Sequence, residues 1–348
     1  SKAAIVLLKL GITMRKTIVI TAIQIFLFSF GTSNADEIKP GVYRTPDDRF
    51  ENLPGYDFES NYQYIDGYRI HYLDEGPRTG PVVLLIHGEP SWSYLYRKMI
   101  PVFVDAGYRT IVPDLLGFGR SDKPVSRSDY SYSGQVSIIS QLITDLDLSE
   151  ISAFFQDWGG LVGLRVVTEY PDRFTHVAVG NTGFPAGPGE DGIIIGAEFD
   201  SVNSDVRLQP GDGFPEWLRY SQQVPELQAS FVVQWGTVRT LPPEVLAAYD
   251  APFPDDRYKA GSRVMPTLVR SQIATNREAW TVLENWEKPF LTTFSDSDPI
   301  TRGGYTPFQQ RIPGAQDQPH TTVSEAGHFL QEDKGNELAN YLVEWFQR

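Results

Sequence analysis

The stretch Phe154-Phe155-Gln156-Asp157-Trp158-Gly159-Gly160 decides the fold of this chain. An apolar run over residues 151–155 stops at an acid, a tryptophan and two glycines, and a predicted helix over 161–170 follows at once. A strand that turns sharply into a helix pushes the residue at the bend out of the top of the sheet, where its side chain is available for reaction. The residue at this bend is Asp157.

The residue type at the bend narrows the chemistry. A carboxylate attacks amides and esters poorly, but it can displace a leaving group from a saturated carbon and form an ester intermediate. Asp157, at a position where Ser or Cys would indicate an esterase, therefore favours dehalogenation or epoxide opening over ester cleavage.

Composition bounds the size and class of the molecule. The chain has 348 residues, no Cys and 41% hydrophobic residues. That is enough apolar material for a sizeable core, in one large domain with an insertion or in two modest domains. The absence of Cys excludes disulfides, thiolate metal sites and a Cys nucleophile.

Residues 1–35 differ from the rest of the chain. They carry four basic residues and no acid, and from Met14 a basic start leads into an apolar run over 17–30 and the small-residue end Gly31-Thr32-Ser33-Asn34-Ala35. This order is typical of a secretory signal peptide, whereas a membrane span needs about 20 apolar residues. We expect an upstream extension over 1–13, cleavage after about Ala35, and a secreted or periplasmic protein; a chain without a working signal would be cytoplasmic.

The rest of the chain is strongly acidic. Without residues 1–35 it has 26 basic and 44 acidic side chains and a net charge of −18, against −14 for the whole chain. A surface of that sign disfavours nucleic acids and anionic membranes as partners.

Short apolar runs alternate with helical stretches along most of the chain. Such continuous runs are typical of strands in a mostly parallel sheet with helices on both faces, because neither side of the strand meets water. Residues 63–72 add a hairpin, with Asp66-Gly67 between two alternating runs, and we expect residues 36–60 to be irregular. The predicted core strands are 82–86, 110–112, 151–155, 177–179, 290–294 and 321–323.

The pattern changes after residue 181. A segment rich in Gly, Pro and acids leads into helical stretches over 216–280 that Pro residues interrupt, and strand character returns only at 290. We therefore expect a helical cap, residues 186–262, inserted into an α/β core domain of residues 36–185 and 263–348. A final helix over about 336–346 closes the core.

Three side chains follow the chain order nucleophile, acid, histidine that is typical of the α/β-hydrolase fold. His328, between a short strand and the last helix, is the best-placed base among the five histidines. Asp296 and Asp298 both follow strand 290–294. We prefer Asp298 as the acid that orients the histidine, because it directly precedes a proline where the chain leaves the strand. The other position for an acid, after strand 177–179, holds the uncharged Asn181.

An oxyanion formed in such a reaction needs two N–H donors. In this fold they come from the loop after the first core strand and from the residue after the nucleophile, here Glu89 and Trp158. The side chain of Glu89 has two open interpretations, which are holding a water molecule and bonding locally. His87, in the same loop, is interpreted as a residue that holds the loop.

Several motifs, in order, resemble those of the haloalkane dehalogenases over about residues 40–348. The match is to the subfamily whose triad acid follows the later strand. The chain departs from the usual pattern in two ways. Phe155 replaces the first glycine of the motif Gly-x-nucleophile-x-Gly, and a signal peptide is less usual for this family. The motifs are His87-Gly88-Glu89-Pro90-Ser91-Trp92-Ser93-Tyr94-Leu95-Tyr96-Arg97-Lys98-Met99, Gly117-Phe118-Gly119-Arg120-Ser121-Asp122-Lys123-Pro124, Gln156-Asp157-Trp158-Gly159-Gly160, Ala251-Pro252-Phe253-Pro254-Asp255 and Ala326-Gly327-His328-Phe329.

The resemblance implies an activity and a site. It implies hydrolysis of haloalkanes to an alcohol, a halide and a proton, without cofactor or metal, and a halide held on two indole N–H groups. Here these would be Trp158 and, from the cap, Trp217. A departing halide is a weakly hydrated anion, and an N–H on a large apolar ring solvates it without admitting water. The residues expected to line the pocket are Phe184, Phe214, Phe253 and Phe329, whereas Trp235, Trp280 and Trp286 are interpreted as packing residues.

Two alternatives stay open at this point. An epoxide hydrolase shares the Asp, His and Asp but needs cap tyrosines to protonate the epoxide oxygen, and three are available, Tyr220, Tyr249 and Tyr258. Trp217, and Glu89 where epoxide hydrolases generally have an aromatic residue, favour the dehalogenase. A non-catalytic binding protein on the same fold ranks last, because that reading usually requires a damaged triad and this chain has all three residues.

Overall fold

The computed structural model describes residues 36–194 and 201–348. The predicted upstream extension and signal peptide, residues 1–35, lie outside the described residues, as do residues 195–200 of the predicted cap. The described residues belong to one compact unit.

Two β-sheets organise the described part of the chain. Its strands are β1 (Asp36–Lys39), β2 (Val42–Arg44), β3 (Ser60–Ile65), β4 (Tyr68–Glu75), β5 (Val82–Ile86), β6 (Arg109–Pro113), β7 (Lys123–Pro124), β8 (Ile151–Gln156), β9 (Phe174–Gly180), β10 (Phe290–Ser295) and β11 (Thr321–Val323). The larger sheet has the order β11-β10-β9-β8-β5-β6-β4-β3, and the smaller one has the order β1-β2-β7.

The larger sheet is mostly parallel, as predicted. Every pairing from β11 across to β6 is parallel, and only β4 and β3, the predicted hairpin, run antiparallel at one edge. All residues of β5 and β8 are buried, which accounts for their continuous apolar sequences. The strand order reverses between these two strands, so their carboxyl ends open into the crevice where open α/β sheets bind ligands.

The helices are α1 (Ile100–Asp105), α2 (Tyr132–Asp145), α3 (Trp158–Glu169), α4 (Phe214–Gln223), α5 (Ala229–Trp235), α6 (Pro243–Asp250), α7 (Ala260–Val264), α8 (Ile273–Leu283), α9 (Thr306–Arg311) and α10 (Leu330–Phe346). Two groups of them cover the larger sheet. Helices α1 and α10 pack on each other, and α3 packs on α2, α8 and the central strands.

The prediction of an irregular lead-in over 36–60 is wrong. Strands β1, β2 and β7 form the small sheet, in which Val42 pairs with Pro124 and Tyr43 with Lys123. Beside it, the Arg44 guanidinium lies 2.9 Å from the Asp122 carboxylate. These partners are far away along the chain, so a local sequence pattern does not reveal the pairing.

The segment between β9 and β10 contains helices α4 to α8, as the sequence predicted, whereas its described residues before Phe214 form turns and irregular structure. Trp217 of helix α4 belongs to a small hydrophobic cluster, separate from the main core, that also includes Leu227. The predicted cap boundary between residues 262 and 263 falls inside α7, so it would divide one continuous helix. The division of the described unit into core and cap is otherwise still a prediction.

The last helix begins earlier than predicted, at Leu330 rather than at about Asn336. Its backbone leaves the helical conformation at Lys334, with φ −137° and ψ 30°. Residues 330–333 therefore form a separate first turn directly after the His328 loop.

Candidate active site

The turn around Asp157 has the strained geometry that its sequence predicts. Asp157 lies between β8 and α3 with φ 52° and ψ −124°, a region that residues other than Gly rarely adopt. The turn also packs closely on β5, because a Cβ atom at Gly159 would lie 2.0 Å from the Ile86 carbonyl oxygen. The carboxylate is thereby held at the carboxyl end of the sheet, over the crevice between β5 and β8.

The structure brings Asp157, His328 and Asp298 together. His328 Nε2 lies 3.4 Å from Asp157 Oδ2, and His328 Nδ1 lies 3.1 Å from Asp298 Oδ2. Asp298 is 2% exposed and His328 is 5% exposed. Asp296 does not contact the histidine; its carboxylate accepts from the backbone N–H groups of Glu325 and Ala326 and braces their loop.

The charges in this group favour a protonated histidine in the free protein. Burial by itself lowers the pKa of His328, but the carboxylates of Asp298 and Asp157 outweigh it and raise that pKa to about 10. Burial likewise opposes the charge on Asp298, yet the histidine lowers the pKa of Asp298. In the free protein, His328 is therefore an imidazolium between the carboxylates of Asp157 and Asp298.

The loop after β5 contacts the Asp157 carboxylate directly. The Glu89 backbone N–H donates to Asp157 Oδ1 at 2.8 Å. Trp158, the other predicted donor, is the first residue of α3, where a backbone N–H has no acceptor within the helix. His87 holds the loop as expected, because its Nε2 accepts from the Leu115 N–H at 3.0 Å.

The Glu89 side chain is buried beside Asp157. Burial, and then the Asp157 charge, raise the pKa of Glu89 well above its usual range. Glu89 Oε1 has no hydrogen-bond partner among the described residues, so local bonding does not account for that atom. Burial on the wall of the crevice therefore favours the uncharged form of this side chain.

A cavity of about 530 Å³ lies over Asp157, and most of its wall is apolar. Three of the four predicted phenylalanines line it, namely Phe184, Phe214 and Phe329. The prediction for Phe253 is corrected. It is buried against Phe118, with ring centroids 6.4 Å apart, and it is not part of the cavity wall.

Four tryptophans line the cavity, and their indole N–H groups differ. Trp235 donates to the Gln209 carbonyl at 2.9 Å and Trp280 donates to the Phe184 carbonyl at 3.0 Å. Within the described ranges, the N–H groups of Trp158 and Trp217 have no protein acceptor. Trp235 and Trp280 pack in hydrophobic clusters, as interpreted, and they also line the cavity, whereas Trp286 is buried away from it.

Sequence reasoning missed two amides that hold the histidine loop. Gln156 Nε2 donates to the His328 carbonyl at 3.1 Å and lies 3.3 Å from His328 Nε2. Asn181 Nδ2 donates to the carbonyls of Gly327 and His328 at 2.8 and 3.0 Å. Asn181 was considered only as an acid position, although its place at a strand end was a usable signal.

Between residues 36 and 194 and between 201 and 348, no group of three or more His, Asp or Glu side chains is arranged to hold a metal ion. Over the same ranges, no helix combines the length and the apolar character needed to cross a membrane.

Residues 81–335 match the family model of the alpha/beta hydrolase fold. A haloalkane dehalogenase of Psychrobacter cryohalolentis is 49% identical over 314 residues, which is 87% of this chain and 97% of that protein. A haloalkane dehalogenase of Mycobacterium marinum is 43% identical over 87% of this chain and 99% of its own length.

The fold comparison agrees. The solved, tetrameric structure of a haloalkane dehalogenase from Paraglaciecola agarilytica superposes with a TM-score of 0.75 at 32% identity, covering 86% of this chain and 97% of that one. The sequence identities to the two relatives and to the Paraglaciecola enzyme show membership of a family and not only a shared fold. The chain therefore belongs to the haloalkane dehalogenases of the α/β-hydrolase superfamily, which are hydrolases that act on carbon–halogen bonds.

Proposed function

We propose that this chain hydrolyses haloalkanes through an ester on Asp157. The observation that carries the proposal is the Asp157 carboxylate at the floor of an apolar cavity whose wall includes two indole N–H groups, neither with an acceptor among the described residues. A carboxylate is a competent nucleophile toward a saturated carbon, and an apolar cavity keeps water away from the displacement.

In the first half-reaction, one oxygen of Asp157 attacks the carbon that carries the halogen. A carbon–oxygen bond forms, and the carbon–halogen bond breaks with its electron pair leaving on the halide. Trp158 and Trp217 donate their N–H groups to that halide as its charge develops. No base is needed in this step, because a carboxylate oxygen attacks without giving up a proton.

In the second half-reaction, His328 acts as the base and Asp298 orients it. Ester formation removes the Asp157 charge, so the imidazolium loses its proton to solvent and the neutral imidazole takes a proton from water. The water oxygen adds to the Asp157 carboxyl carbon, and the Glu89 and Trp158 N–H groups receive the oxyanion. Expulsion of the alkoxide, which takes the proton from His328, gives the alcohol. The new Asp157 carboxylic acid then returns its proton to His328.

The epoxide hydrolase alternative is not favoured. That reaction needs a tyrosine hydroxyl over the nucleophile, and none of Tyr220, Tyr249 and Tyr258 is among the described residues that line the cavity. The Tyr249 hydroxyl instead donates to Glu332 in a buried network.

The test is halide release from 1,2-dibromoethane and 1-bromobutane. Asp157→Asn removes the nucleophile, so we expect no release. Trp217→Phe removes an unbonded N–H, so we expect kcat/KM to fall by about 10- to 100-fold. The matched control is Trp235→Phe, because that N–H is already bonded to Gln209, and its effect should be several-fold smaller.

The outcomes separate the parts of the proposal. Equal losses in Trp217→Phe and Trp235→Phe would remove Trp217 from the halide site and leave the reaction. Diol formation from styrene oxide without any halide release from haloalkanes would overturn the reaction itself.

We also propose that residues 14–35 form a signal that directs export and that the chain is then cut after about Ala35. The order of a basic start, an apolar run and a small-residue end supports this proposal. Expression of the full chain in a bacterial host should yield an exported protein whose amino-terminal sequence begins near Asp36. Retention of the full chain in the cytoplasm would contradict it.

A further inference from the structure

One carboxylate joins the loop that carries His328, residues 327–329 and here called the base loop, to the helical segment between β9 and β10. Asp333 Oδ2 accepts from the backbone N–H groups of Gly327 and Val238 at 2.9 and 3.0 Å, and Asp333 Oδ1 accepts from the Arg239 N–H at 2.9 Å. Gly327 directly precedes the histidine, whereas Val238 and Arg239 follow helix α5. Asp333 is 2% exposed, so water does not compete strongly for these bonds.

The first turn of α10 places this acid inward. Because the backbone leaves the helical conformation at Lys334, the turn before it is set apart from the rest of α10. Its consecutive residues Glu332 and Asp333 are both buried, and they reach different partners. The Glu332 side chain bonds Arg97, Lys98 and Tyr249, whereas the partners of the Asp333 carboxylate in the described part of the chain are all backbone N–H groups.

The two segments that Asp333 joins also touch each other directly. The Phe329 N–H donates to the Gly236 carbonyl at 3.0 Å. A Cβ atom at Gly327 would lie 2.4 Å from the same carbonyl oxygen, so only glycine permits this approach. Residues 327–329 and 236–239 therefore have little room to move independently.

The histidine backbone is thus held from two sides. Gln156 and Asn181 hold the His328 carbonyl, and Asp333 holds the N–H of the residue before it. A buried carboxylate that accepts three N–H bonds is stable only while all three donors stay in place. The position of the imidazole therefore depends on Asp333, which touches neither substrate nor reacting atoms.

We propose that Asp333 is a positioning residue for His328 in the second half-reaction. This inference rests on the proposed function. Because only hydrolysis of the ester uses the histidine as a base, loss of Asp333 slows that step and leaves ester formation nearly unchanged. An acid that served only the stability of the fold would not alter the balance between the two half-reactions.

The test is the accumulation of the butyl ester of Asp157 in the full chain after mixing with 1-bromobutane, followed by rapid quench and mass spectrometry. In Asp333→Asn, an amide NH₂ faces a backbone N–H whichever way the side chain turns. We expect ester hydrolysis to slow by about tenfold or more and ester formation to change by less than about threefold, so that the ester accumulates. Asp333→Glu keeps the charge but displaces it, and should show a smaller effect in the same direction; it serves as the test if the Asn variant does not fold.

The control is Glu332→Gln, a buried acid of the same turn whose side chain bonds Arg97, Lys98 and Tyr249 rather than the base loop. We expect it to lower the melting temperature without ester accumulation. Turnover of Asp333→Asn and Asp333→Glu without accumulated ester would overturn the inference, and so would accumulation in Glu332→Gln equal to that in Asp333→Asn.

The variant His328→Gln distinguishes failure of the proposed function from failure of this inference. If that variant accumulates ester and the Asp333 variants do not, the inference fails and the proposed function stands. If neither the wild type nor His328→Gln forms an ester on Asp157, the proposed function fails first.

Discussion

At the scale of single residues, the charge on Asp157 controls what His328 can do. With two carboxylates beside it, the pKa of His328 is raised to about 10, which is too high for a base at neutral pH. Esterification of Asp157 removes one of those charges, so the pKa of the histidine falls. The first half-reaction thereby prepares the base that the second one needs.

His328→Gln should stop the reaction between its two halves. The nucleophile and the indole donors are intact in this variant, so the first displacement proceeds and the ester is not hydrolysed. We expect release of about one halide per active site, measured by rapid mixing with 1-bromobutane, and a persistent ester on Asp157. Sustained turnover at the wild-type rate would contradict the role of His328.

The same charges predict how stability depends on pH. The pKa of His328 is raised from 6.5 to about 10, so the folded chain holds this proton more tightly than the unfolded chain. The resulting stabilisation is complete below about pH 6.5 and is lost as the pH rises through about 10. In urea unfolding across this range, the difference in unfolding free energy between wild type and His328→Gln should decrease as the pH rises. A difference that grows with pH would exclude the imidazolium between two carboxylates.

At the scale of elements, the active site depends on one tight strand–turn–helix. Strand β8 stops at Gln156, α3 starts at Trp158, and the single residue between them carries the nucleophile. The close approach of α3 to β5 keeps the Asp157 carboxylate within reach of the Glu89 N–H. Local backbone packing is therefore part of the catalytic geometry.

Gly159→Ala should damage both stability and activity. Its Cβ would meet the Ile86 carbonyl at 2.0 Å, and a backbone atom in a buried strand has little freedom to move away. We expect a loss of about 1–3 kcal/mol in the free energy of unfolding, together with a loss of halide release. Gly192→Ala is the control, because no atom of the described residues lies within 4 Å of the added Cβ. Unchanged activity in Gly159→Ala would show that the turn tolerates a shift.

At the scale of the whole molecule, a buried charge network joins distant parts of the chain. Glu332 in α10 contacts Arg97 and Lys98, which follow β5, and Tyr249 in α6. The Glu332 side chain is fully buried and that of Arg97 is 5% exposed. Removal of one partner would leave a buried charge without compensation.

Glu332→Ala should therefore lower the free energy of unfolding by about 3–5 kcal/mol. The control is Glu284→Ala, which removes the exposed partner of Arg311 and should cost less than about 1 kcal/mol. Chemical unfolding of both variants measures the difference. Equal, small losses would mean that water reaches the Arg97 guanidinium once Glu332 is absent.

Sequence patterns identified the elements and the residues with unusual chemistry. Strands such as β5 and β8 are visible because full burial on both faces demands continuous apolar sequence, and the hairpin is visible through its turn residues. Asp157 was identifiable because an apolar strand sequence ends at this acid and is followed at once by a tryptophan, two glycines and a helix. The pairing of β2 with β7 was not visible, because it depends on residues far apart in the chain.

By itself, then, the sequence determined the α/β class, the positions of the main strands along the chain, the nucleophile turn and the resemblance to a dehalogenase, because each of these leaves a local or ordered pattern. Only the tertiary structure decided that Asp298 rather than Asp296 contacts the histidine, that Phe253 lies outside the cavity while Trp280 lines it, and that Asp333 reaches the base loop. Those facts depend on side-chain direction and on contacts between distant segments. Local residue type and spacing encode neither the direction of a side chain nor a contact between distant segments.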